Sequence, residues 1–147
     1  MNRSSKLQPV QRVNDTREQE AARAFGSARH YLEQLEHQYD ELQNYREEYR
    51  HHFLHSGRLG MRGKQVQQQQ LFLANLDRAI EQQREAISQA KSECERRQQR
   101  WFAAKGRSRA LDRVVERYRE EELVLENRRE QKDTDELAAT RALQQRK

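Results

Sequence analysis

The chain has 147 residues, a net charge of +5 and only 33% hydrophobic against 36% charged residues, with a mean hydropathy of −1.36. That is too little apolar material for a compact multilayer core, and no run of it approaches a membrane span or the apolar centre of a signal peptide, so a cytoplasmic location is expected. A basic pI near 9.6 admits acidic partners of any kind without selecting nucleic acid, and the lone Cys94 excludes an internal disulfide.

The chain opens on a polar stretch, MNRSSK, in which Ser4 or Ser5 is placed to cap a helix starting near Leu7. Leu7, Val10 and Val13 give that helix a weak apolar edge. From Ala21 the pattern strengthens through Ala28, Leu35, Leu42, Tyr49 and Phe53, a heptad track that predicts a first helix over about residues 7–55. The period fails across residues 56–63, where Gly57, Gly60 and Gly63 mark a turn centred near residues 59–60.

A longer track follows, predicting a second helix over about residues 64–140. Steps of three and four from Val66 reach Leu125 in eighteen positions, thirteen of them apolar, among them Leu76, Ile80, Ala90, Trp101 and Val115. An apolar residue every 3.5 positions is the seam of a coiled coil. The expected fold is therefore all-α: one domain, a long antiparallel two-helix coiled-coil hairpin with a C-terminal helical overhang. Pairing about the expected turn places Leu35 near Gln83 and Ile87, and Phe25 near Cys94. It leaves roughly thirty residues beyond Tyr118 without a partner helix.

Near the turn the apolar stripe is wider than one seam requires. The first helix carries a second line through Tyr31, Gln38, Leu42, Tyr45 and Tyr49, and the second helix carries one through Phe72, Leu76, Ala79 and Gln83. Two readings compete: aromatic residues that merely shield the seam, or an exposed patch that docks a protein. Burial of the surplus in a dimer or a four-helix arrangement is a further possibility.

Charge is uneven too. Residues 96–119 hold nine basic side chains against Asp112 and Glu116. A solvated helix face, an acidic protein partner and nucleic acid all fit such a run.

His51, His52 and His55 follow Glu47 and Glu48 by one turn. A pair at i and i+4 can chelate, but a closed site needs further ligands and neighbouring groups that hold those ligands in place, which a thin rod does not easily supply, so no metal site is expected. No nucleophile with a base, no carboxylate pair in a cleft and no phosphate loop is present, which predicts no enzyme, no catalytic residue and no cofactor.

The assembled features resemble the FliJ family of bacterial flagellar type III export. The likeness is carried by Ala21-Ala22-Arg23 with Gly26, and by Tyr45 with Glu48-Tyr49-Arg50 before the turn. Phe72, Leu76 and Ala79-Ile80 follow it, then Trp101, the tail Glu126-Asn127-Arg128, and Gln131-Lys132 with Asp135-Glu136. The resemblance implies a coiled coil shaped like the central stalk of rotary ATPases. It implies as partners the hexameric flagellar export ATPase (FliI), the cytoplasmic domain of the export gate protein FlhA, and export chaperones, with no nucleic acid and no membrane insertion. Its implied location is the cytoplasmic face of the inner membrane at the flagellar base.

The gate-docking residues it implies are Gln38, Leu42, Tyr45, Tyr49, Phe72, Leu76, Ala79 and Gln83, the patch already found by periodicity. In the same reading the basic run meets acidic loops of the ATPase ring through Arg109, Arg113 and Arg117. The readings that stand against it are a basic coiled coil that binds nucleic acid and a purely structural linker.

Overall fold

A computed structural model describes residues 2–58, 60 and 62–146. Two helices account for nearly all of them: α1, Arg3–Arg58, and α2, Gly63–Gln145. They pack on each other as an antiparallel two-helix hairpin, with the 83 residues of α2 outrunning the 56 of α1. By contacts the chain divides into two compact units, Glu20–Trp101 and Met1–Gln19 with Phe102–Lys147.

In the unit Glu20–Trp101 the core is a single seam. Ala28 and Leu35 from α1 and Leu76, Ile80 and Ala90 from α2 are buried, each less than a tenth exposed. Phe25 stacks on Trp101 with ring centroids 5.7 Å apart and planes 20° apart. Phe25 was expected near Cys94; it lies two helical turns further along α2. Cys94 itself is a half-buried free thiol.

Part of the shift comes from the turn. The break between Arg58 and Gly63 is shorter than expected and is centred later, which displaces the pairing toward the C-terminus of α2 by about half a turn. Leu35 does meet Gln83, whose Nε2 donates to the Leu35 carbonyl at 2.9 Å. Gly60 adopts φ +82°, a left-handed conformation that glycine takes without steric cost. Leu59, on which the expected turn centre partly fell, is outside the described residues.

Among the described residues of the unit Met1–Gln19 with Phe102–Lys147, Val115 is the most deeply buried side chain, 1% exposed. Helix α1 starts at Arg3, earlier than Leu7, and Ser4 lies inside its first turn instead of capping a later one. The Lys6 N–H bonds back to the Asn2 carbonyl, so Asn2 precedes the first turn. Pro9 is inside the helix, where it leaves the Ser5 carbonyl without its usual partner. Helix α2 runs on to Gln145, past the expected end near 140, and residues 123–146 are all exposed. Leu125 is among them at 53%, which removes it from the seam.

Five seam positions of α2 are polar: Gln69, Gln83, Arg97, Ser108 and Glu122. Four of them bond to α1. Besides Gln83 with Leu35, Arg97 Nη1 donates to the Ala24 carbonyl at 3.1 Å, Ser108 Oγ donates to Asp15 at 3.0 Å, and Glu122 accepts from Ser4. Gln69 is the exception, its Oε1 buried without a protein partner. Polar groups in an apolar seam are tolerated where they meet a specific partner, and a slip of either helix would strand them.

Candidate protein-docking surface

The spacing 38, 42, 45, 49 on α1 repeats as 72, 76, 79, 83 on α2, so each set lies along one stripe of its helix. Antiparallel packing brings the two stripes together. Phe72 is the hinge between them: its ring centroid is 4.4 Å from that of Tyr49, tilted by 44°, and 6.2 Å from that of Tyr45, edge-on at 74°. Such offset and edge contacts suit the ring quadrupoles.

The eight residues are not equally accessible. Gln38 is exposed, Tyr45 is 50% exposed and Phe72 40%. Leu42, Tyr49, Ala79 and Gln83 are half-buried, and Leu76 is core at 8%. The patch thus has an accessible rim standing on a packed floor. Gln83 ties its lower end by donating to Gln38 Oε1 at 3.2 Å as well as to Leu35. Tyr31, at 55% exposure, sits apart beside Ala28, Ala86 and Ala90.

Sequence reasoning missed the opposite edge of the same seam. There Arg46 pairs with Asp77, and the Tyr39 hydroxyl accepts from Arg84 Nε at 3.0 Å and from Gln43 Nε2 at 2.8 Å. The Arg84 and Gln43 bonds hold the Tyr39 hydroxyl below its usual pKa, and Asp77 raises that of Arg46. One edge of the seam is therefore closed by ionic and hydrogen-bonding groups while the other presents aromatic rings. Arg46 with Asp77 and Tyr39 with Arg84 face each other only in the observed register, so the pattern of either helix alone carries no signal for them.

Arg109, Arg113 and Arg117 belong to the other unit. They follow each other at i+4 along α2, all exposed, and no ion pair among the described residues engages them. Asp112, one of the two acids in the basic run, accepts instead from Gln11 across the seam at 3.0 Å. At the other end of the run Arg96 and Arg97 are taken up by Glu93, which they hold below the ordinary carboxylate range.

His51, His52 and His55 are exposed, and among the described residues no group of three or more His, Cys, Asp or Glu is placed to hold a metal. No described helix is long and apolar enough to cross a membrane.

Comparison with known proteins decides the kinship. The profile described as "Flagellar FliJ protein" matches residues 3–147. The chain belongs to the flagellar FliJ family. It is 30% identical over 125 residues to the flagellar FliJ protein of Escherichia coli K12, covering 85% of each chain. It is 31% identical over 124 residues to that of Salmonella typhi, covering 84% of each. No solved structure gives a significant match. For this FliJ family member the two-helix hairpin and the family assignment rest on separate observations.

Proposed function

We propose that the chain serves flagellar protein export as a non-enzymatic coiled-coil adaptor, peripheral at the cytoplasmic face of the inner membrane. The rim formed by Gln38, Tyr45 and Phe72, standing on Tyr49, docks the cytoplasmic domain of the export gate protein FlhA. Arg109, Arg113 and Arg117 bind acidic loops of the export ATPase, whose ring assembly the adaptor promotes, and the protein also assists export chaperones. Membership in the FliJ family supports the export role. The observation that carries the gate assignment is the Tyr45–Phe72 edge contact, with both rings 40–50% exposed. Aromatic rings held by packing yet open to solvent lose little freedom when a partner covers them.

The test is binding of purified gate domain to the full chain and to Tyr45→Ala. Loss of binding with unchanged helicity supports the proposal, and wild-type affinity in the variant removes Tyr45 from it.

A further inference from the structure

The start of α1 is attached to α2 by one carboxylate. Glu122 Oε1 accepts the Ser4 backbone N–H at 3.0 Å, and Oε2 accepts the Ser4 hydroxyl at 2.6 Å. Ser4 is 6% exposed, and Arg3 lies over the Tyr118 ring at 5.6 Å. Glu122 is also the last half-buried residue of α2, since residues 123–146 are all exposed. The carboxylate does the work of an N-cap from another helix: it satisfies an orphan N–H and opposes the positive end of the α1 dipole.

Little else holds this segment. Among described residues 2–14 only Leu7 supplies an apolar side chain that is even half-buried, while Val10 and Val13 are 45% and 48% exposed. Pro9 removes a helical hydrogen bond just behind the clamp. The next attachments, Gln11 to Asp112 and Ser108 to Asp15, are again polar. A helix end with few apolar contacts, held by charge-assisted bonds, opens separately from the rest.

We infer that Glu122 and Ser4 form a latch that sets where the paired part of α2 ends, and that its release unzips the first turns of α1 as a local event. Opening uncovers Tyr118 and then Val115, lengthening the unpaired stretch of α2 backwards from residue 123. The free length of α2 is thereby adjustable without unfolding the seam between residues 20 and 101.

Amide hydrogen exchange of the full chain, followed by mass spectrometry, tests this with Glu122→Gln, Ser4→Ala and, as a control on a neighbouring exposed carboxylate, Glu121→Gln. Exchange over residues 3–11 should accelerate about tenfold in Glu122→Gln, which removes the charge from both bonds, and by a smaller factor in Ser4→Ala, which loses the hydroxyl bond and keeps the backbone one. It should stay at the wild-type rate in Glu121→Gln and over residues 20–101 in all three. Unchanged exchange at residues 3–11 in Glu122→Gln would overturn the latch, and so would equal acceleration along both helices, which would make Glu122 a support of the whole hairpin.

Discussion

Phe72 lies 4.4 Å from Tyr49 but 6.2 Å from Tyr45, so one ring of α2 bridges a half-buried tyrosine and an exposed one. The two tyrosines therefore answer different questions. Tyr45→Ala is expected to leave thermal stability within about 1 kcal/mol of wild type while weakening gate-domain binding about tenfold or more. Tyr49→Ala is expected to lower the melting midpoint followed by circular dichroism. Equal melting losses in both would place Tyr45 in the seam.

Ile80 is 6% exposed in the seam of its unit, and Ile80→Ala should cost about 3 kcal/mol, the usual range for truncating a buried aliphatic side chain. Chemical denaturation followed by circular dichroism measures it. Truncating Leu125, 53% exposed, should cost almost nothing in the same assay.

Acid should act on the Ser4 clamp. The Ser4 hydroxyl and then its backbone N–H hold the Glu122 carboxyl below the ordinary value of 4.5, with smaller help from Arg119. A lowered folded pKa means that the stabilisation is fully present above the unfolded value and is lost as pH falls through the folded one. Intrinsic-rate-corrected protection over residues 3–11 should thus be flat above about pH 5.5 and decline as pH falls through the ordinary value of 4.5 and on through the lowered folded one. The same profile in Glu122→Gln should lack the step.

Reversing Arg109, Arg113 and Arg117 to glutamate should weaken binding of the export ATPase and reduce its salt dependence, because exposed charges act through a screened field. Titration at two ionic strengths reads both effects. Wild-type affinity in dilute salt would exclude this face.

Much of the fold was legible without coordinates. Of the thirteen apolar seam positions from Val66 to Leu125, all but Leu125 are buried or half-buried. The reason is geometric: an apolar residue every 3.5 positions can be covered by one neighbouring helix, and the glycine break says that the neighbour is the same chain. The aromatic surplus was legible for the same reason, since Tyr45 and Phe72 fall one step to the side of that line.

Leu125 shows where the pattern fails. Its spacing continues the seam, but burial requires a helix opposite, and α1 begins at Arg3. The start of α1 in turn depends on Glu122, 118 residues away from Ser4, and no local propensity reports such a bond. Ser4 looked like an ordinary cap for a later helix because capping by a residue's own side chain is the only kind a local reading can see.

Periodicity and the glycines thus determined the helices, the antiparallel pairing and the stripe that carries Tyr45 and Phe72. Tertiary packing alone decided the register that stacks Phe25 on Trp101, the burial of Leu76 beneath an otherwise accessible rim, and the partners of Arg97, Ser108 and Glu122. Periodicity is a property of one helix, whereas register is settled by how side chains of two helices, far apart in the chain, fill the space between them and satisfy one another's polar groups.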